Sequence, residues 1–78
     1  MGLLQVVVLG PEAPLFEGEA ERVILPGEQG VFEVFPFHRP LASRLLTGAV
    51  IVDDQLFPIQ RGTVWVERNQ VTALVEPA

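Results

Sequence analysis

Apolar residues in this chain come in short runs, cut by Gly, Pro, Asn or Asp at intervals of roughly eight to twelve residues, and none of the runs follows a 3.6-residue period. That spacing belongs to a β-sandwich or barrel. Leu3-Leu4-Gln5-Val6-Val7-Val8-Leu9 reads as a β-branched strand stopped by Gly10-Pro11, and Ala13 to Gly18 as a short edge segment, because Pro14 donates no ladder hydrogen bond. Glu19 to Leu25 predicts one strand, closed by the Pro26-Gly27-Glu28-Gln29-Gly30 loop, and Val31 to Phe35 predicts another. Pro36 and Pro40 bracket Phe37-His38-Arg39, which excludes both helix and paired strand there.

Ala42-Ser43-Arg44-Leu45-Leu46 has the only helical flavour, so any helix is expected within Pro40 to Leu46. The second half reads as a meander: Ala49 to Val52, a tight turn at Asp53-Asp54, Gln55 to Gln60, a break at Arg61-Gly62, Thr63 to Glu67, a turn at Arg68-Asn69, and Gln70 to Val75. Alternation places Val64 and Val66 with Val71, Ala73 and Val75 on one shared face.

Seventy-eight residues make one small domain, spanning residues 1–78, with room for one modest core. Yet 49% of the residues are hydrophobic and the mean hydropathy is +0.37. Either the core is ordinary and weak, or part of the apolar surface faces a partner; the excess favours a partner. Net charge is −5, and all five basic residues are arginines (Arg22, Arg39, Arg44, Arg61, Arg68), which argues against a nucleic-acid or anionic-membrane surface. No cysteine is present, so no disulfide and no thiolate zinc site forms. The opening Met1-Gly2-Leu3-Leu4-Gln5 matches neither a secretory signal nor a transit peptide, and no apolar stretch approaches the roughly 20 residues of a membrane span. The default expectation is the cytosol, without direct membrane insertion.

Catalysis needs a nucleophile with its base, paired carboxylates or metal ligands close in space. His38 is the single histidine, and with Ser43 it forms no recognisable triad, since nothing marks a carboxylate to orient it. A surface loop or turn role, with an interface contact as the other option, suits it better than a metal role. Glu17, Glu19 and Glu21 alternate along one expected strand and read as a solvated edge. Asp53-Asp54 suits a hairpin turn rather than a cation site. The Gly27 to Gly30 loop has neither a lysine nor a following helix to hold phosphate. No catalytic residue, cofactor or metal is expected.

From Val23 to Leu41 the sequence resembles the epsilon subunit of rotary F-type ATP synthases, whose amino-terminal domain carries a stretch of the form V-x-L-P-G-x-x-G-x-F-G-V-L-P-G-H-A-P-L. Leu25-Pro26-Gly27, Gly30, Phe32, Val34, Pro36, His38 and Pro40-Leu41 match it without a gap. Leu15-Phe16-Glu17-Gly18-Glu19 and Gln70-Val71-Thr72-Ala73-Leu74 resemble its flanks, so the similarity covers nearly the whole chain. The resemblance implies an all-β, flattened β-sandwich of about ten short strands. It implies a non-catalytic central-stalk (rotor) subunit that packs against gamma, rests on the c-ring loops and couples proton or sodium transport to ATP synthesis. Its place would be peripheral, at the cytoplasmic face of the inner (plasma) membrane. On the c-ring side it implicates Pro36, Phe37, His38 and Arg39 with Glu28 and Gln29 of the neighbouring loop.

Phe37, Glu33 and Arg39 depart from the family's glycine, glycine and small residue, and a phenylalanine at position 37 implies either a strained backbone or a reshaped loop. Typical epsilon subunits continue into a carboxy-terminal helical hairpin, and this sequence ends at Glu76-Pro77-Ala78. The alternative from another class is a stand-alone β-sandwich module for a peptide or small ligand, which calls for a concave pocket around Trp65.

Overall fold

A computed structural model describes residues 2–78. Eight strands follow one another: β1 (Leu4–Leu9), β2 (Pro14–Ala20), β3 (Val23–Gly27), β4 (Gly30–Val34), β5 (Leu41–Leu45), β6 (Gly48–Val52), β7 (Gln55–Glu67) and β8 (Gln70–Pro77). No helix occurs among the described residues. The hydrogen-bonded order is β2-β1-β8-β7-β5-β3-β4, with β6 pairing β3 and β7 off that path.

Thirteen-residue β7 makes this sheet into two layers. Its first half pairs β6 (Gly48↔Ile59 to Val52↔Gln55), whereas its second half pairs β5 on one side and β8 on the other. Between the halves the register shifts at Ile59/Arg61, a bulge that bends the strand from one layer into the other. One layer is thus β2-β1-β8-β7-β5 and the other β7-β6-β3-β4, with a corner contact at Gly27↔Leu45. The extents of 33 × 26 × 19 Å are those of a flattened sandwich.

The expected break at Arg61-Gly62 is therefore a bend inside a continuous strand. Gly62 permits it: a Cβ there would sit 2.5 Å from the Leu74 carbonyl oxygen, closer than any side chain tolerates. The expected helical flavour at Ala42–Leu46 gives way to strand β5, paired from Leu41↔Val66 to Leu45↔Gly62. Five residues are too few to nucleate a helix, and the backbone groups on the edge of β7 need partners. The single strand expected over Glu19 to Leu25 is instead divided between β2 and β3 by a corner at Glu21-Arg22. Only Glu17 and Glu19 lie on β2, opposite Val7 and Gln5, and Glu21 sits past its end. The eight strands roughly match the count of about ten that the family pattern implies.

The shared face expected for Val64, Val66, Val71, Ala73 and Val75 is present, and all five are buried. Leu4, Val6 and Val8 of β1 join them, with Leu25, Val34, Leu45, Val50, Val52 and Ile59 from the other strands. Each of the buried Val, Leu and Ile side chains contributes about 1.5–3 kcal/mol on leaving water. No polar or charged residue is buried among the described residues. Phe16 on β2 meets Phe57 on β7 edge to face at 6.2 Å between ring centres and closes one side of the sandwich. Edge strand β2 carries Pro14, Glu17 and Glu19, residues that discourage pairing with another chain.

Candidate functional site

The loop from Phe35 to Arg39 turns on a hydrogen bond from the His38 N–H to the Phe35 carbonyl, 3.2 Å. Proline occupies the first central position of this turn, and the second, Phe37, has φ 65°. That is the layout of a type II turn, whose second position favours glycine. Of the two options for Phe37, the strained backbone is the one found, and the loop keeps its tight turn.

Three contacts hold it there. The Phe37 N–H donates to Asn69 Oδ1 at 2.8 Å, and Asn69 Nδ2 donates to the Leu3 carbonyl at 2.7 Å. The Asn69 carbonyl accepts the Gln5 N–H at 3.0 Å. The Phe37 ring covers Gly2, where a Cβ would lie 2.7 Å from Cζ. Asn69 is itself poised by the β7–β8 turn, in which Arg68 and Asn69 have φ 50° and 63°, the type I′ signature. Sequence reading found the turn but not this use of its side chain; an asparagine at a left-handed turn position is the one signal that pointed there.

Five of the six residues implicated for the c-ring side fall into two patches. His38 shares an open cleft of about 490 Å³ with Glu28, Gln29, Val31, Leu41 and Ser43. Its Nδ1 lies 2.7 Å from the Arg39 carbonyl, an oxygen that can only accept, so Nδ1–H is the donor in this contact. Ser43 Oγ donates to the Arg44 carbonyl at 2.9 Å, so it has no base. Pro36 and Phe37 face elsewhere, into a cavity of about 910 Å³ at the end of the sandwich. Arg39 is exposed and lines neither.

Gly2, Leu3 and Phe35 complete the apolar wall of the end cavity, and Glu21, Arg22, Asp53 and Asp54 form its rim. Asp53 has a structural duty: Oδ1 accepts the N–H groups of Glu21 (2.9 Å) and Arg22 (3.2 Å), clamping the β2–β3 corner onto the β6–β7 hairpin. Its own backbone, at φ 51°, makes that hairpin turn. Arg22 is paired with Glu33 at 3.3 Å, outside the cavity wall. Among the described residues no group of three His, Cys, Asp or Glu side chains converges to hold a metal.

Register shows one further surface. Ala42, Trp65, Thr72, Val7 and Glu17 lie in one cross-strand row of the β2-β1-β8-β7-β5 layer, and Thr63, Leu74 and Leu9 lie in the next. These residues point away from the core, and Trp65 is 44% exposed. Trp65 lines neither the 490 Å³ cleft nor the end cavity, but the adjoining row of Thr63, Leu74 and Leu9 borders an open hollow of about 620 Å³ that Trp65 itself does not line.

The profile of the ATP synthase delta/epsilon chain β-sandwich domain matches residues 3–78. The chain belongs to this family. An ATP synthase epsilon chain from Nitratiruptor sp. is 37% identical over 83 aligned positions that take in all of this chain, and one from Herminiimonas arsenicoxydans is 36% identical over 81. A chloroplastic ATP synthase epsilon chain from Tetradesmus obliquus is 35% identical. The chain spans 64%, 58% and 58% of the length of these relatives. The same fold occurs in the Euglena gracilis mitochondrial ATP synthase (TM-score 0.87, 12% identity, 96% of this chain and 51% of that one). It occurs too in the central stalk and c-ring structure of the Tetrahymena thermophila enzyme (TM-score 0.77, 16% identity, 94% and 63%). In this delta/epsilon-type domain the Phe37 side chain stands on left-handed backbone that favours glycine.

Proposed function

We propose that this delta/epsilon-type sandwich is a non-catalytic central-stalk subunit of an F-type ATP synthase, joining gamma to the c-ring and taking part in the coupling of ion translocation to ATP synthesis. It would act peripherally, on the cytoplasmic face of the membrane. The observation that carries the reading is the partly exposed apolar sheet face of Val7, Leu9, Trp65 and Leu74, on a chain whose relatives are ATP synthase epsilon chains. An aromatic flanked by aliphatic residues on a flat sheet is the composition of a protein interface core, and this face is the gamma side of the proposal. The c-ring side comprises the two patches at the Phe35–Arg39 loop: Glu28, Gln29 and His38 on one, Pro36 and Phe37 on the other, with Arg39 between solvent and partner.

Separate capture of purified gamma and of detergent-solubilised c-ring tests this. Wild type captures both. Trp65→Ala with Leu74→Ser loses gamma, and His38→Ala with Arg39→Ala loses c-ring while keeping gamma. Capture of neither partner by wild type, where a typical epsilon chain captures gamma, overturns the stalk reading.

A further inference from the structure

Phe37 pays twice for its place. A phenylalanine at φ 65° occupies backbone that side chains avoid, and the residue is 75% exposed, so little hydrophobic gain offsets the strain. Phe35, two residues earlier, is 51% exposed, and Leu3 is partly exposed beside them. Together with Pro36 and Gly2 they wall the end cavity of about 910 Å³. The rim is acidic: among the described residues Glu21 and Asp54 have no ion-pair partner, Asp53 accepts two backbone N–H groups, and the one arginine is already paired with Glu33. Three carboxylates around an apolar wall fit a partner that is apolar at its tip and cationic at its shoulders.

We propose that this end cavity docks a basic protein loop in which a large apolar side chain is flanked by arginine or lysine, with Phe37 as the anchoring side chain. The apolar residue enters between Phe35, Phe37 and Leu3, and the cations meet Glu21, Asp53 and Asp54. The site goes beyond the stalk reading, since it specifies the chemistry of one contact and stands whichever protein supplies the loop. An acidic loop is repelled by the rim, and a basic loop without an apolar tip leaves the wall in water.

The test uses the full chain, isotope-labelled, and short synthetic peptides containing Arg-Leu-Arg, Glu-Leu-Glu or Arg-Ser-Arg, followed by NMR. The Arg-Leu-Arg peptide shifts the amides of Leu3, Phe35, Phe37 and Asp54, more strongly at low salt. Glu-Leu-Glu and Arg-Ser-Arg leave them in place. Phe37→Gly weakens the Arg-Leu-Arg affinity about tenfold without loss of fold, and Glu21→Gln with Asp54→Asn reduces its salt dependence. Equal shifts from all three peptides, shifts confined to other residues, no shift at all, or unchanged affinity in Phe37→Gly overturns the proposal. Capture of gamma and c-ring is read separately, so the stalk reading fails or survives independently.

Discussion

Asn69 accepts the Phe37 backbone N–H at 2.8 Å across a separation of 32 residues, and its amide nitrogen reaches the Leu3 carbonyl 66 residues away. One turn side chain thereby ties the β4–β5 loop and the start of the chain to the β7–β8 hairpin. The left-handed backbone at Phe37 persists because its N–H has this fixed acceptor and its ring lies on Gly2.

Asn69→Gly keeps the positive φ and removes both side-chain hydrogen bonds, so it costs about 1–2 kcal/mol in urea unfolding. Asn69→Ala adds the penalty of the left-handed backbone and costs more than Asn69→Gly. A reversed order removes Asn69 as the organiser of this end.

At position 37, backbone preference and ring packing oppose each other. Phe37→Gly relieves the strain and exposes Gly2, and unfolds within about 0.5 kcal/mol of wild type. Phe37→Val puts a β-branched residue at φ 65° and destabilises by about 1 kcal/mol or more. Equal stability of the two variants means the loop has another conformation in solution.

Gly62→Ala places a methyl 2.5 Å from the Leu74 carbonyl oxygen and about 3.0 Å from Val75 Cγ1. Backbone cannot retreat as a flexible side chain does, so the variant is less stable by about 2 kcal/mol. Thermal unfolding measures it, and a near-neutral result shows that the β7–β8 pair can separate at the bend.

Ile59 is fully buried beside that same bulge. Ile59→Val costs about 1 kcal/mol and Ile59→Ala about 2–5 kcal/mol. In a domain this small the larger figure removes most of the stability, and the alanine variant loses its cooperative unfolding transition.

His38→Ala with Arg39→Ala removes one hydrogen bond to the neighbouring carbonyl and an exposed guanidinium. Stability changes by about 0.5 kcal/mol or less, because Pro36, Pro40 and Asn69 already hold the loop. A larger loss in chemical denaturation assigns the pair a structural duty in place of a binding one.

All-β architecture, the hairpin turns at Asp53-Asp54 and Arg68-Asn69 and the inward face of Val64, Val66, Val71, Ala73 and Val75 are properties of the amino-acid sequence by itself. Period-two alternation and turn chemistry are local, and adjacent residues express them without help from the rest of the chain. The family-like Val23 to Leu41 stretch likewise placed the Pro36–Arg39 loop where the structure has it. The tertiary structure decided what depends on distant partners. Ala42–Leu45 became strand because the edge of β7 was unpaired, and β7 ran through Gly62 because Leu74 approaches where no Cβ stands. The Pro36–Arg39 loop was split, with Phe37 facing Leu3 and Asp53 and His38 facing Glu28, by a turn anchored on Asn69. A hydrogen bond across 32 residues has no signature in the composition of either segment. It exists only once two layers have folded and brought an orphan N–H and a free amide together.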